Sequence, residues 1–244
     1  LAAFVMPNSR AVKPLLNEAR KLLEATGDSS TEGYQSGQER AEIIAEAVYE
    51  AIRKRGLNYS DPSGSFERKS QKVRSPQSIF EDKEGTCLDT AVLYASCLAA
   101  VGLEPVLFLI PGHAFSGYFI SNQVPGSDQA VFPKDPSEDR LGDLTVRYML
   151  GDNKFGVPFI QMVETTTLCT GDNSVPFKAA CAEAESRWGS ATEKFDAGKL
   201  HSEITPEFFR MIGVKAAWAS GYTAPPVAEN RLVDEGDDAH TVQV

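Results

Sequence analysis

A cysteine lies at the start of an apolar segment, EGTCLDTAVLYASCLAAVGL, at residues 84–103. Between this cysteine and the end of the segment Asp89 is the only charged residue, which predicts a helix buried in the middle of a domain. Thr86 and Asp89 have the spacing of a capping box, so Cys87 is predicted to be the first helical residue. There the unpaired backbone N–H groups and the positive end of the helix dipole favour a thiolate. The pattern indicates a nucleophile, and the same N–H groups are able to stabilise an oxyanion.

A small, inert, buried residue is the alternative interpretation of Cys87, because free cysteines are frequently of that kind. We interpret the other three cysteines in this way, since none is placed at a helix start: Cys97, Cys169 and Cys181. The four cysteines have no CxxC spacing, and the three histidines lie far apart without the spacing of zinc ligands: His113, His201 and His240. The sequence therefore predicts no disulfide framework, metal site or cofactor.

His113 is the candidate base for this nucleophile, because it is the only histidine in a strongly structured segment. PVLFLIP is a short apolar run bounded by prolines, and HAFSGYFI follows Pro111-Gly112, which predicts two adjacent antiparallel strands. His113 would begin the second strand. A core histidine that only satisfies hydrogen bonds is the alternative. The order of cysteine at a helix start, strand, then histidine at the next strand favours the catalytic interpretation.

Other elements must surround this helix and hairpin. Apolar residues at helical spacing predict helices over residues 11–25 and from Ala41 to a cap at Gly56. Further predictions are a short extended piece around Tyr59, a short helix opened by Ser75-Pro76 and closed by Gly85, a helix over 137–151, a strand in FIQMVETTT and a helix over 177–195.

Composition indicates a globular domain with a sizeable core, since 42% of the 244 residues are hydrophobic. We expect one domain over residues 1–227, with an N-terminal helical segment over 1–56, followed by an acidic, disordered tail over 228–244. The formal net charge of -10 argues against binding to nucleic acid or anionic lipid. The sequence has no long apolar run and its first residues lack a signal-peptide pattern, so we expect a cytoplasmic protein. It begins with Leu1, which suggests a piece of a longer chain.

Three short motifs within residues 75–115 resemble the core of the transglutaminase-like superfamily. They are Gly85-Thr86-Cys87-Leu88-Asp89, Gly102-Leu103-Glu104-Pro105 and His113-Ala114-Phe115, with a looser match at Tyr59-Ser60. Together with VETTT near 164 and PFKAACAEA near 180, they resemble a transglutaminase-like domain of large bacterial proteins that also carry a helicase-type ATPase. The resemblance implies an α+β, papain-like fold, in which the cysteine helix packs on an antiparallel sheet and extra helices lie on the N- and C-terminal sides.

The resemblance also implies a triad of cysteine, histidine and an acid that orients the imidazole. The family's acid usually lies in a Val-Asp-Pro-Thr-like strand end, and this chain has two imperfect versions, Asp135 in FPKDPS and Glu164 in MVETTT. If the strands over 113–120 and 159–166 pair antiparallel, the start of the first lies beside the end of the second, which brings Glu164 close to His113. Asp135 lies between two prolines in a predicted surface loop. We favour Glu164 over Asp135, although a solvated carboxylate is the usual state of either type.

The function implied is acyl transfer through Cys87, His113 and Glu164. Hydrolysis of an amide or peptide bond in a protein or peptide substrate is preferred over cross-linking, because the calcium-loop motif expected of large transglutaminases is missing from the sequence. A non-enzymatic module that binds a partner protein, or positions a helicase-type ATPase domain of the same parent chain, is the main alternative. A zinc site containing Cys87 and His113 is a third.

Overall fold

The computed structural model describes residues 1–25, 27, 34, 38–61, 72–121, 158–169, 175–196 and 210–223. The fold of these residues is α+β. The helices are α1 (Val12–Ala25), α2 (Gln38–Arg53), α3 (Pro76–Asp82), α4 (Cys87–Ala100), α5 (Phe177–Asp196) and α6 (Val214–Ala219), with 3-10 turns at Ala2–Phe4 and Thr165–Cys169. The strands are β1 (Asn58–Tyr59), β2 (Glu84–Gly85), β3 (Pro105–Ile110), β4 (His113–Phe119), β5 (Ile160–Val163) and β6 (Arg210–Gly213). The predicted helix over 137–151 and the predicted tail over 228–244 lie outside the described residues.

A four-stranded antiparallel sheet, in the order β5-β4-β3-β6, forms one layer of the fold. The predicted hairpin of β3 and β4 is confirmed, and Ile110 pairs with His113 where the chain turns. Gly112 has φ of 74° in this turn, a left-handed conformation that glycine adopts without steric cost. The pairing of β4 with β5, expected from the sequence, is also antiparallel. The sheet therefore places His113, at the start of β4, on the side of the sheet where β5 ends.

Helix α4 lies in the centre of the domain, as its apolar sequence predicted. Between Cys87 and Leu98 every residue except Leu88 is buried. One side of the helix packs on the sheet, where Ala91, Val92 and Ala95 share an apolar cluster with Leu107 of β3. Its other side packs against the N-terminal helices α1 and α2, in a second cluster that includes Leu93, Tyr94, Cys97 and Leu98. Each fully buried leucine contributes about 1.5–3 kcal/mol to this packing, so the position of the helix start is firmly determined.

Helix α2 also supports the turn that follows β5. The hydroxyl of Tyr49 is buried, and it lies 2.9 Å from the Thr167 hydroxyl oxygen and donates to the Val175 carbonyl oxygen at 2.9 Å. Tyr94 of α4 donates to the Ala45 carbonyl oxygen of α2, also at 2.9 Å. These hydrogen bonds tie α2 to the segment that follows β5 and to α4.

The short helix before α4 ends earlier than predicted. Ser75 is its N-cap and Pro76 its first residue, as expected, but the C-cap is Lys83 in the left-handed conformation, with φ of 52°. Gly85 does not close the helix, because it pairs with Tyr59 in the parallel β1–β2 ladder. A Cβ on Gly85 would lie 3.1 Å from the Thr90 methyl carbon, so the close packing against α4 favours glycine at this position. The predicted extended piece around Tyr59 is confirmed as β1.

Two elements at the C-terminal end were not predicted. Strand β6 pairs antiparallel with β3 and leads directly into α6. Both are short, four and six residues, so their apolar periodicity is too brief to be recognised in the sequence. The predicted helix over 177–195 is confirmed as α5.

Candidate active site

The start of α4 has the capping geometry that the sequence predicted. The Thr86 hydroxyl oxygen accepts a hydrogen bond from the Asp89 backbone N–H at 3.3 Å, and the Asp89 carboxylate accepts one from the Thr86 backbone N–H at 3.0 Å. Cys87 is the first helical residue, with 6% of its surface exposed. Its thiol therefore lies at the positive end of the helix dipole.

The Asp89 carboxylate is engaged on both oxygens and is fully buried. Arg74 donates from its backbone N–H to one oxygen at 2.7 Å and from its guanidinium to the other at 3.0 Å. With this pairing in addition to the capping box, Asp89 fixes the helix start in place. Both oxygens of the Asp89 side chain are used in this structural role. Cys87 therefore has no carboxylate partner in the first turn of α4.

His113 hydrogen-bonds to Glu164, and the Cys87 side chain lies close enough to the imidazole to affect its pKa. Its Nε2 is 2.7 Å from Oε2 of Glu164. Burial alone would lower the pKa of the imidazole, but the hydrogen bonds to Cys87 and Glu164 and the charges of these groups raise it to about 9. The imidazole is therefore held as a cation at neutral pH.

Glu164 is fully buried and its carboxylate is held from two sides. Oε2 faces His113, while Oε1 accepts hydrogen bonds from the Thr166 backbone N–H at 3.0 Å and from the Thr166 hydroxyl at 2.8 Å. Burial alone would raise the pKa of this carboxyl, but the hydrogen bond and charge of His113 and the bonds from Thr166 lower it. The buried negative charge is thus compensated by an imidazolium and two fixed donors.

The strand before Glu164 is shorter than predicted. β5 ends at Val163, opposite Ser116, and the chain enters a 3-10 turn at Thr165 instead of remaining extended to residue 166. The reason is local, since the Glu164 backbone N–H donates to the Ala180 carbonyl oxygen of α5 and the Thr167 hydroxyl donates to the Glu164 carbonyl oxygen. Both backbone groups of Glu164 are therefore used away from β4, and the turn directs its side chain towards His113.

Tyr59 is a residue of the site for which the sequence suggested no role. It pairs with Gly85 in the β1–β2 ladder, two positions before Cys87, and its side chain lies close enough to that cysteine for the two to interact. Burial, together with the neighbouring Cys87, raises the pKa of the Tyr59 hydroxyl. Tyr59 is 43% exposed, so it borders the site on the solvent side. The sequence signals were the predicted extended piece that contains it and the looser family match at Tyr59-Ser60.

Arg187 is a second residue that sequence reasoning missed. It lies on α5, and its Nε is 3.0 Å from Oε2 of Glu164, the oxygen that also faces His113. The same Nε donates to Oε1 of Glu183 at 2.9 Å, one helical turn earlier. The spacing of Glu183 and Arg187 is the only sequence signal, and it is common to solvated helix surfaces.

The other cysteines are in different environments, and all four are free thiols. Burial raises the pKa of Cys97, which lies in the interior of α4. Burial also raises the pKa of Cys169 and of Cys181 to about 12. Within the described part of the chain, Cys87 is the one of the four thiols that lies beside a histidine.

Several expectations for the site concern residues outside the described part of the chain, namely Asp135, His201 and His240. Within the described residues, groups of three or more histidine, cysteine or acidic side chains able to hold a metal ion are not found. Among the same residues, no helix has the length and hydropathy required to span a membrane. Comparison of the chain with protein-family models, curated proteins and solved structures gives no match.

Proposed function

We propose that this chain is a cysteine-dependent acyl-transfer enzyme of the transglutaminase-like type, in which Cys87, His113 and Glu164 act as a triad. The observation that carries the proposal is the hydrogen bond between His113 and the buried Glu164, with Cys87 beside the same imidazole. A nucleophile, a base and an orienting acid in this order are the arrangement that acyl transfer requires. Their placement at a helix start and a sheet edge supports the same conclusion.

The reaction begins with attack of the Cys87 sulfur, as thiolate, on the carbonyl carbon of the substrate. A C–S bond forms and the carbonyl electron pair moves to oxygen, giving a tetrahedral oxyanion. Backbone N–H groups at the start of α4 stabilise that charge. His113 then donates its proton to the leaving amine as the C–N bond breaks, which leaves a thioester on Cys87 and a neutral imidazole.

Hydrolysis completes the cycle in the proposed reaction. The neutral imidazole of His113 takes a proton from a water molecule, whose oxygen attacks the thioester carbonyl. The C–S bond breaks, and the products are a carboxylic acid and the regenerated thiolate and imidazolium pair. We prefer water over an amine as acceptor because the sequence has no calcium-loop motif of the large transglutaminases.

Glu164 and Tyr59 have supporting roles in this proposal. The Glu164 charge keeps the imidazole oriented and stabilises its protonated form. The Tyr59 hydroxyl, which retains its proton, lies beside the Cys87 side chain and would donate to the tetrahedral oxyanion. Its exposed position places it where a substrate would approach.

The substrate class we propose is a protein or peptide, and the chain would act as a cytoplasmic domain of a larger protein. A helicase-type ATPase domain of the same parent chain is the proposed neighbour. Both proposals rest on the resemblance of the motifs around Cys87 and His113. The triad itself requires no cofactor.

A non-enzymatic interaction module is the second candidate function, and one observation favours it. Cys87 is only 6% exposed and the His113 side chain 14% exposed, so the potential nucleophile has little open surface. In this case the buried pair would be a stabilising element of the fold, and binding would use another surface.

The experiment that separates the two functions measures acylation and stability together. Wild type, Cys87→Ala and His113→Ala are incubated with p-nitrophenyl acetate, and the acetyl adduct is located by peptide mass spectrometry. We expect an adduct on Cys87 in the wild type and none in either variant. The melting temperature of Cys87→Ala should change by only a few degrees, about 1 kcal/mol or less, because alanine is well tolerated at a helix start.

The decisive comparison uses the biological activity of the parent protein. Loss of that activity in a folded Cys87→Ala variant supports acyl transfer. Full activity of the same variant would leave a fold used only for recognition.

A further inference from the structure

Two cations lie on one oxygen of Glu164. Nε2 of His113 is 2.7 Å from Oε2, and Nε of Arg187 is 3.0 Å from the same atom. The triad needs only the first of these contacts, so the second calls for a separate explanation. The carboxylate carries one negative charge, and the two cations share its attraction.

The fold, and not a chance surface contact, brings Arg187 to this position. Helix α5 is attached to the end of β5 by the hydrogen bond from the Glu164 backbone N–H to the Ala180 carbonyl oxygen, at 3.0 Å. A second tie joins the Gln161 amide of β5 to the Glu185 carboxylate at 3.2 Å. Trp188, adjacent to Arg187, is 8% exposed and packs edge-on against Phe108 of β3, with ring centroids 5.5 Å apart. The helix therefore presents Arg187 to Glu164 in a defined rotation.

Glu164 does not need Arg187 to remain in place. Its second oxygen is held by the backbone N–H and hydroxyl of Thr166, and its backbone N–H by α5. The guanidinium therefore adds a positive charge beside the carboxylate but contributes little to holding its position. Arg187 is itself shared, because its Nε also contacts Glu183 at 2.9 Å.

We propose that Arg187 is a positioning residue that limits how tightly Glu164 holds the imidazolium of His113, and thereby sets the pH at which His113 releases its proton. This inference rests on the proposed function, in which His113 must donate that proton to the leaving amine. An imidazolium held too strongly by a buried carboxylate is a poor proton donor. Arg187 weakens the attraction between Glu164 and the imidazolium because it competes for the same carboxylate oxygen.

The sign of the effect follows from the charges that face His113. Cys87 of α4 and Glu164 after β5 favour the imidazolium. Tyr59 of β1 borders the site and is neutral at physiological pH, since its pKa is raised. Arg187 of α5 is the like charge, so its removal favours the imidazolium further. The titration of His113 should therefore move to higher pH when Arg187 is neutralised.

The size of the shift is limited by solvent. The Arg187 side chain is 44% exposed, and part of its field is screened by water and salt. We expect an upward shift of about half to one pH unit, smaller at high ionic strength. A purely structural role for Arg187 would alter stability without moving this titration.

The test follows the ring protons of His113 by NMR as a function of pH, with the signal assigned by its loss in His113→Asn. Three variants are compared with the wild type. Arg187→Gln should raise the midpoint by about half to one unit, and Arg187→Lys, which keeps the charge, should stay within about 0.3 units. Glu183→Gln should lower the midpoint slightly, since Arg187 then loses its other partner and acts fully on Glu164.

The outcomes separate this inference from the proposed function. A wild-type midpoint at the ordinary histidine value of about 6.5 would remove the Cys87–His113–Glu164 network and the proposed function with it. A raised wild-type midpoint that Arg187→Gln leaves unchanged or lowers would overturn the role of Arg187 alone. If Arg187→Gln does not fold, Glu183→Gln decides, because an upward or absent shift in that variant contradicts the proposal. The Arg187 effect should also persist in Cys87→Ala, since it acts through Glu164.

Discussion

Replacing Glu164 with Gln changes the charge at the centre of the proposed triad while keeping the shape of the side chain. The amide oxygen can still accept the two hydrogen bonds from Thr166, so the turn after β5 should persist. What is lost is the negative charge 2.7 Å from His113. Of the two side chains that raise the pKa of His113, only Cys87 then remains.

The magnitude follows from the titration of His113. Its pKa is about 9 in the folded chain, against an ordinary value of 6.5. Burial lowers this pKa, and the bonds and charges of Cys87 and Glu164 overcome that effect. Without the Glu164 charge we expect the pKa to fall by about two units, equivalent to about 2.7 kcal/mol of lost imidazolium stabilisation. At pH 7 this predicts acylation of Cys87 slower by about 100-fold.

The assay is the rate of Cys87 acylation by p-nitrophenyl acetate at pH 7, measured by release of nitrophenol. Glu104→Gln is the matched control, because Glu104 is a partly buried carboxylate paired with Lys215 at the opposite end of the β3–β4 hairpin. The control variant should acylate at the wild-type rate. Circular dichroism and melting temperature establish that both variants are folded.

Two results would refute the reasoning. One is a folded Glu164→Gln variant that acylates within about threefold of the wild-type rate, since a charge effect of this size cannot be so small. The other is a larger loss in Asp135→Asn, which would assign the orienting acid to the loop carboxylate.

Three further predictions address the nucleophile, the sheet and the ion pair. Iodoacetamide at pH 6 to 7, below the ordinary thiol pKa of about 8.5, should label Cys87 before the three other cysteines, as read by peptide mass spectrometry; preferential labelling elsewhere counts against the catalytic role. Gly117→Ala should lower the melting temperature, because its Cβ would lie 2.5 Å from the Gln161 carbonyl oxygen and overpacking costs about 1–3 kcal/mol, whereas Gly189→Ala, whose Cβ meets nothing within 4 Å, should have no such effect. The free energy of unfolding should contain a stabilising contribution from His113 that is complete below about pH 6.5 and is lost as the pH rises to about 9, because the pKa of His113 is higher in the folded chain than in the unfolded chain. His113→Ala should abolish this part of the pH dependence of stability. An unchanged pH profile in that variant would disprove the prediction.

The sequence by itself determined the features that depend on residues close together in the chain. Thr86 and Asp89 are three positions apart, and their capping box places Cys87 at the helix start without help from any other element. The β3–β4 hairpin is equally local, since an apolar run, Pro111-Gly112 and a second apolar run specify a turn that His113 follows. Even the choice of Glu164 over Asp135 rested on one assumed antiparallel pairing, which the structure contains.

Only the tertiary structure decided which distant groups share the site. Tyr59 reaches Cys87 through the β1–β2 ladder, and Arg187 reaches Glu164 through the packing of α5 on β5. The end of β5 at Val163 likewise depends on a backbone hydrogen bond from Glu164 to α5, a contact between segments that no periodicity records. Capping and turn formation are governed by interactions over three or four residues, whereas these contacts depend on how whole elements pack. For that reason the candidate cysteine, histidine and acid could be named from the sequence, whereas the contacts of Tyr59 and Arg187 with them could not.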